Sequence, residues 1–142
     1  MFSNLRSLIF QVDPERAHFL AIQSLKLNLV SNIFDDHKND PLFKTKIFNK
    51  EIDNPIGMAA GFDKNAEVIK PMLSYGFGFV EVGTITPRPQ KGNPKPRVFR
   101  LKEDEAVINH LGFNNYGSEK ILKNLTAKRN RQYRIKFTNI RE

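Results

Sequence analysis

The first thirty residues carry two helical patterns of apolar positions. Apolar side chains recur at steps of three and four residues at Phe2, Leu5, Ile9 and Val12, and again at Phe19, Ile22, Leu25 and Leu29. That spacing places each set on one face of a helix. Asp13 is a typical N-cap for the second helix, with Pro14 at its first position. Residues 1–30 are therefore predicted to form a helical hairpin, packed on a globular domain or lying in a membrane interface.

The next segment, residues 31–53, is polar and rich in turn formers. It predicts a connection followed by an edge hairpin around "KTKIFNKEI". From Asn54 the pattern changes: "PIGMAAG" predicts a short buried strand and "FVEVGT" a second strand. Between them, "NAEVIKPMLSYGFG" carries a helical stripe at Ala66, Ile69 and Leu73 and a glycine stop at Gly76. Strand, helix and strand with short connections predict a βαβ unit with parallel strands.

The following stretch, "PRVFRLKEDEAVINHLGF", predicts an antiparallel hairpin with its turn at residues 102–105. Ser118 is a predicted N-cap of a last helix, and "YRIKFTNI" alternates like a strand. Two parallel strands with one crossover cannot cover both faces of a parallel sheet, and a barrel of such units needs about 250 residues. We therefore expect the chain to be the front part of a larger α/β fold or to pair with something else.

The amino-acid composition limits the kinds of functional site that this chain can form. The 142 residues include no cysteine, which excludes disulfides, thiolate metal sites and cysteine nucleophiles. No pair among the three histidines has metal-ligand spacing, so no metal site is expected. The sequence has neither an apolar run that could span a bilayer nor a signal-peptide pattern. These features predict a protein that is cytoplasmic or lies on the cytoplasmic face of the membrane.

The net charge of +8 is concentrated near the end of the sequence. Residues 128–142 hold six of the 23 basic residues and one acidic residue. Because the remainder is only weakly basic, the overall charge is a weak argument for a nucleic-acid protein, and no nucleic-acid partner is expected.

Three clusters follow the predicted strands, where ligands of parallel α/β folds gather: "AAGFDK", "GTITPRPQ" and "NHLGFNN". Small residues let a flat ring or a phosphate approach the backbone, and Lys64 supplies a positive charge. Asn109, Asn114 and Asn115 supply amide donors and acceptors. Together they suit a planar anionic ligand. The same patterns are also typical of close packing, a solvated lysine and local capping, so the residues alone leave both interpretations open.

Longer motifs carry a family resemblance. "DPERAH", "NPIGMAAGFDKNAE", "GFGFVEVGTITPRPQKGNPKPRVFRL" and "AVINHLGFNNYG" closely resemble the membrane-associated, quinone-dependent class of dihydroorotate dehydrogenase, from the N-terminus to about Leu125. The resemblance implies the N-terminal portion of a TIM (β/α)8 barrel preceded by an α-helical hairpin, with the barrel incomplete in this chain. Residues 54–125 would then be the first βαβ units of a flavin-binding barrel.

The resemblance also implies a function. The family oxidises dihydroorotate to orotate in pyrimidine synthesis and passes electrons through FMN to a quinone, which enters a tunnel roofed by the N-terminal helices. Membership implies peripheral attachment through those helices to the cytoplasmic side of the cell membrane. A cation beside FMN and orotate would stabilise the negative charge that develops on hydride transfer.

Site residues follow by position in the matched motifs. The implied FMN contacts are Ala60, Gly61, Phe62, Asp63, Lys64 and Thr84. The implied substrate contacts are Lys64, Asn109, His110, Leu111, Gly112 and Phe113. The residues implied to lie near the quinone tunnel are His18 and Arg100. The family usually has arginine at the position of His110, so this sequence departs from the pattern there.

The resemblance is not followed beyond residue 125, and residues 126–142 are expected to be a basic tail outside the family. The family's serine base belongs to a later segment, and Ser118 lies outside that motif, so no catalytic residue is assigned. A truncation or frameshift that leaves this chain inactive alone is the preferred hypothesis. The alternatives are a nucleic-acid arm for the tail, the soluble class of the same enzyme, and a non-catalytic interaction fragment.

Overall fold

The computed structural model describes Arg6 and residues 9–27, 41–47 and 49–127. The helices are α1 (Pro14–Lys26), α2 (Ile69–Ser74) and α3 (Ser118–Ala127), with a 3₁₀ turn at Pro41–Phe43. The strands are β1 (Thr45–Ile47), β2 (Lys50–Ile52), β3 (Gly57–Met58), β4 (Phe79–Val80), β5 (Val98–Leu101) and β6 (Ala106–Asn109). Most of the predicted first helix, Leu29 and the whole "YRIKFTNI" strand lie outside the described residues.

The strand pairings confirm the predicted hairpins and the βαβ unit. β1 pairs antiparallel with β2, and β5 pairs antiparallel with β6, with Val98 opposite Asn109. β3 and β4 pair in parallel, with Met58 opposite Val80, and α2 lies between them in sequence. The carboxyl ends of β3 and β4 therefore lie side by side, which is where ligands of parallel sheets bind.

Helix α1 begins as its sequence predicts. The Asp13 carboxylate accepts a hydrogen bond of 2.8 Å from the Arg16 N–H, and Pro14 occupies the first helical position. Ile22 is buried on the face that meets the rest of the chain. Phe19, one turn before Ile22 on the same predicted stripe, is 58% exposed. The apolar stripe of α1 is thus buried at Ile22 and accessible at Phe19.

The helix between β3 and β4 is shorter than its pattern predicts. It begins at Ile69, whereas Ala66 lies before it with a φ of 56°. The reason is that the Asp63 carboxylate binds the N–H groups of Glu67 and Val68, which holds this stretch in a loop. Pro71 falls in the first turn of α2, where its missing N–H interrupts no intrahelical hydrogen bond.

Two apolar clusters hold the described elements together. One consists of Ala66, Ile85, Ile121 and Leu125 and attaches α3 to the βαβ unit. The other consists of Ile22, Val68 and Met72 and attaches α1 to α2. Each buried Val, Ile, Leu or Met side chain in these clusters contributes about 1.5–3 kcal/mol. None of the described helices is long and apolar enough to cross a bilayer.

Candidate functional site

A cleft of about 810 Å³ separates α1 from the loops at the carboxyl ends of β3 and β4. Its lining includes Glu15, His18, Ile22, Phe62, Asp63, Lys64, Gln90, Lys91, Asn114 and Asn115. Four of the predicted site residues therefore meet in one place: His18, Phe62, Asp63 and Lys64. The cleft carries apolar surface from α1 and charge from the loops, which suits a ligand with a flat ring and an anionic group.

The turn that leads into the cleft offers bare backbone. Ala59 and Ala60 are exposed, and Gly61 has a φ of 104°, which only glycine adopts without strain. A Cβ added at Gly61 would meet no atom within 4 Å. The space beside Gly61 is therefore open, as the small-residue pattern predicts for close approach of a ring or phosphate.

Lys64 is a partly buried cation in this cleft. Its Nζ donates a hydrogen bond of 2.7 Å to the carbonyl of Gly61. Burial lowers the Lys64 pKa from its ordinary value of 10.5, and the positive charge of Arg97 acts in the same direction, while Glu15 opposes them. A Cβ at Gly83 would lie 3.1 Å from the Cα of Lys64, so Gly83 lets the two loops approach closely. The charge of Glu15 offsets only part of the desolvation of the Lys64 ammonium group, so an anion bound beside Lys64 would be stabilised.

Asp63, the neighbour of Lys64, is 1% exposed and has a structural role. Its carboxylate accepts hydrogen bonds from the N–H groups of Asn65 (3.3 Å), Glu67 (2.8 Å) and Val68 (2.8 Å). Its carbonyl accepts a bond of 3.2 Å from the Gly83 N–H. Asp63 therefore fixes the loop that carries Lys64.

His18 closes the cleft from the side of α1. Its ring meets Phe62 edge-to-face with centroids 5.3 Å apart. Burial lowers its pKa from the ordinary value of 6.5, with a further lowering by the Lys64 charge, against smaller opposing effects of Asp63 and Glu15. His18 is therefore favoured in its neutral form, which can both donate and accept a hydrogen bond.

The other predicted substrate residues lie outside the cleft lining. Asn109 and His110 are exposed at the end of β6, and Phe113 is 59% exposed with a φ of 55°. The His110 ring stacks on Phe99 at 5.7 Å. The backbone of this loop is nevertheless well held, because the carbonyl of His110 accepts a bond of 2.6 Å from Asn93 Nδ2. The loop thus has a fixed path while its side chains remain accessible.

Thr84 and Arg100 also lie outside the cleft lining. Thr84 is partly buried after β4. Arg100 Nη1 donates to the carbonyl of Val12 at 2.7 Å and to that of Phe10 at 3.3 Å. Its guanidinium also lies 4.7 Å from the centre of the Phe10 ring. Arg100 therefore attaches β5 to the segment before α1.

The two adjacent asparagines after this loop have opposite roles. Asn115 is 5% exposed, and its carboxamide bonds Thr86, Phe113 and Gly117, which is local capping. In contrast, the Oδ1 of Asn114 is buried without a hydrogen-bond partner among the described residues. A buried acceptor without a partner costs about 1–3 kcal/mol, and Asn114 belongs to the lining of the cleft.

Sequence reasoning missed the ion pair between Glu15 and Arg97. Arg97 Nη2 lies 2.6 Å and Nε 3.1 Å from Glu15 Oε1. The Arg97 guanidinium is almost fully buried, and its bond holds the Glu15 pKa below the ordinary 4.5 despite the opposing effect of burial. The sequence shows a first-turn acid and a strand-adjacent arginine, but no spacing rule joins positions 82 residues apart.

Comparison with known proteins identifies the surrounding fold. Residues 42–141 match the family model described as dihydroorotate dehydrogenase. The chain is 59% identical over 104 residues, or 73% of its length, to dihydroorotate dehydrogenase (quinone) of Azorhizobium caulinodans. It is 51% identical over 130 residues, or 91% of its length, to the protein of the same name of Agrobacterium fabrum. These matches cover 29% and 35% of the two relatives, so the chain spans about a third of their length.

A solved structure gives the same result. The crystal structure of a ligand-free DHODH from Eimeria tenella superposes with a TM-score of 0.75 at 45% identity, covering 81% of this chain and 32% of that one. The family match also includes residues 126–141, which the motif resemblance left out. The division of the chain into four segments stays a prediction.

Proposed function

Since this chain belongs to the dihydroorotate dehydrogenase family, we propose that it forms the N-terminal part of the flavin and orotate site of a quinone-linked enzyme. In the complete reaction two electrons and two protons leave dihydroorotate, orotate is formed, and a quinone is reduced to the quinol. FMN, when bound, supplies the group that accepts hydride from the substrate ring. The proposed placement of β3, α2 and β4 is the start of a (β/α)8 barrel, whose ligands bind at the carboxyl ends of strands.

The observation that carries the proposal is the cation of Lys64 in the cleft beside the open backbone of Ala60 and Gly61. The residues fit a flavin for three reasons: the turn is bare, the buried Oδ1 of Asn114 has no hydrogen-bond partner among the described residues, and Phe62 supplies an aromatic wall. Lys64 places a positive charge where negative charge develops, and such preorganised charge is usually a large contribution to catalysis.

The remaining contacts follow the same proposal. Asp63 contributes through the loop it orders, because its carboxylate is already occupied by three N–H groups. Thr84 lies in the segment after β4, and residues Asn109–Phe113, from the end of β6 onward, would contact orotate. The lining of the cleft among the described residues contains no serine, so no residue of this cleft is assigned as the base.

The quinone would approach along α1. His18 and Phe62 form an aromatic edge at the cleft, and Arg100 attaches the segment before α1 to β5. Leu20 on α1 (53%) and Leu27 directly after it (68%) are exposed, and so is Phe19 (58%), which also lines the cleft. Exposed aromatic and leucine side chains on an amphipathic helix support peripheral contact with the cytoplasmic side of the cell membrane.

Membrane contact has a direct test. The chain should co-float with vesicles of phosphatidylethanolamine and phosphatidylglycerol, and the double variant F19S/L20S should float less. The matched control is Leu122→Ser, which removes an exposed leucine from α3 (52% exposed). Equal flotation of all three proteins would contradict a role for α1.

The flavin and substrate sites are tested by binding. Titrating the chain with FMN should quench flavin fluorescence, with saturation at one FMN per chain. Adding orotate should then shift the absorption band of the bound flavin at about 450 nm. A folded chain that binds neither ligand would overturn the proposal. A chain that binds FMN but not orotate would retain the flavin site and reject the substrate assignment.

A further inference from the structure

The ion pair of Glu15 and Arg97 connects two parts of the proposed site. Glu15 lies in the first turn of α1, on the helix that carries His18. Arg97 lies just before β5, and its guanidinium also donates through Nη1 to the carbonyls of Lys91 (2.7 Å), Asn93 (3.0 Å) and Leu111 (3.4 Å). One side chain therefore joins the helix, the connection before β5 and the loop after β6.

The connection before β5 is in turn bonded along the loop after β6. The Asn93 N–H donates to the Leu111 carbonyl (3.1 Å) and the Asn93 side chain to the His110 carbonyl (2.6 Å). Gln90 and Asn115 exchange backbone bonds of 2.9 and 3.0 Å. The His110 N–H donates to the carbonyl of Arg97 itself (3.0 Å). The path of residues 110–115 is thus set by contacts with Gln90, Asn93 and Arg97.

The Glu15–Arg97 ion pair is largely buried. Side-chain exposure is 7% for Arg97 and 17% for Glu15, whereas Lys95, which also approaches Glu15 at 3.5 Å, is 69% exposed. A buried guanidinium that loses its carboxylate is left as an uncompensated charge, which is far more costly than the loss of a surface pair. Arg97 would then leave its position or draw in water, and its three carbonyl contacts would loosen with it.

We propose that Glu15 and Arg97 are positioning residues that couple helix α1 to the loop of residues 110–115, and so set the affinity for orotate from the quinone side of the site. The inference deepens the proposed function and rests on it for the identity of the ligand. The coupling of helix and loop does not depend on the ligand. A displacement of α1 reaches the substrate loop through Glu15, Arg97 and Asn93, a continuous chain of contacts.

The first readout is amide hydrogen exchange of the ligand-free, 15N-labelled chain, compared between unmodified protein and Glu15→Gln. Exchange at the N–H groups of Asn93 and His110 should accelerate about tenfold or more, because local opening there costs less. Exchange at the Met72 N–H, which bonds the Val68 carbonyl in α2, should stay within about twofold. The matched control is Glu119→Gln, which breaks the exposed pair with Lys123 on α3 and should change neither set.

Arg97→Lys is the second variant, and it keeps the proposal testable if Glu15→Gln does not fold. Lysine retains the charge but lacks the planar fork that contacts a carboxylate and three carbonyls at once. Amide hydrogen exchange at Asn93 and His110 should therefore also accelerate in the Arg97→Lys variant. Unchanged exchange at these two amides, or an increase matched by Met72, would overturn the coupling and leave only a general contribution to stability.

The second readout is orotate binding in the presence of FMN. The dissociation constant of orotate should rise about fivefold or more in Glu15→Gln. Faster exchange with unchanged orotate affinity would overturn the influence on substrate. If the unmodified chain binds no orotate, the proposed function fails, and the exchange data still decide whether the pair positions the loop.

Discussion

The loop after β3 and the loop after β6 are held in different ways. The first is ordered from within, by the buried carboxylate of Asp63 bonding three N–H groups of its own loop, and it points Lys64 into a formed cleft. The second is ordered from outside, by Asn93 and Arg97 of another segment, and its residues Asn109–Phe113 stay outside the cleft lining. The cation of the proposed site is therefore preformed locally, whereas the substrate loop depends on distant contacts.

The largest expected effect comes from removing the internal support of the first loop. Asp63→Ala leaves three N–H groups without their acceptor in a buried setting and should lower the free energy of unfolding by about 3 kcal/mol or more. Urea denaturation measures this. The matched control is Asp13→Ala, which removes a single exposed N-cap bond of α1 and should cost about 1 kcal/mol. Equal losses in the two variants would contradict a special role for Asp63.

The next effect separates binding from stability at Lys64. Lys64→Met removes a cation whose burial is only partly compensated, so we expect the ligand-free chain to be as stable or more stable, by up to about 1 kcal/mol. Affinity for FMN and orotate should fall about tenfold or more, because the methionine side chain is uncharged and cannot stabilise an anionic ligand. Lys70→Met, at an exposed position in α2, should leave both quantities unchanged. A Lys64→Met chain that is clearly less stable would show that Lys64 is structural.

A smaller effect is expected in the second loop. Asn109 is exposed, so Asn109→Ala should change the free energy of unfolding by less than about 0.5 kcal/mol. Its orotate affinity should nevertheless fall about fivefold, the loss of one hydrogen bond. Thermal unfolding measures the change in stability, and an orotate titration measures the change in affinity. Ser118→Ala, at the exposed start of α3, is the control, and a loss of affinity there equal to that of Asn109→Ala would reject the assignment.

The smallest effect is a pH dependence from His18. Because burial lowers its pKa below 6.5, the unfolded chain binds more protons than the folded one just below that pH. The contribution of His18 is complete above pH 6.5 and is lost as the pH falls toward the lower folded pKa. His18→Gln should remove this part of the dependence between pH 7.5 and 5. Superimposable curves for the two proteins would contradict burial of the imidazole at the cleft.

Local patterns predicted most of the described fold. The N-cap at Asp13, both antiparallel hairpins and the parallel pair follow from capping residues, alternation and turn chemistry over short distances. The start of α2 was predicted too early because the side chain of Asp63 competes with the helix for backbone N–H groups. The periodicity of α1 predicts an apolar face but not how much of it is covered, and in the structure Ile22 is buried whereas Phe19 is 58% exposed.

The site was predicted in part. A cation beside small residues after a strand is a local signal, and Lys64 does line the cleft, whereas its role in binding stays a prediction. The Glu15–Arg97 pair and the orphan acceptor of Asn114 were not predicted, because each depends on segments that meet only after folding. Asn115 is bonded within its own loop, whereas the Oδ1 of the adjacent Asn114 has no partner among the described residues. A shift of one residue along the loop would exchange these roles, so the sequence does not show which asparagine has which.

The central claim is that the loop after β3 holds a flavin beside Lys64, and an FMN titration of the 142-residue chain and of Lys64→Met tests it most directly. We expect saturation at one FMN per chain for the unmodified protein and an affinity at least about tenfold weaker for the folded variant. A folded chain that binds no FMN, or a Lys64→Met chain that binds it equally well, would contradict the account.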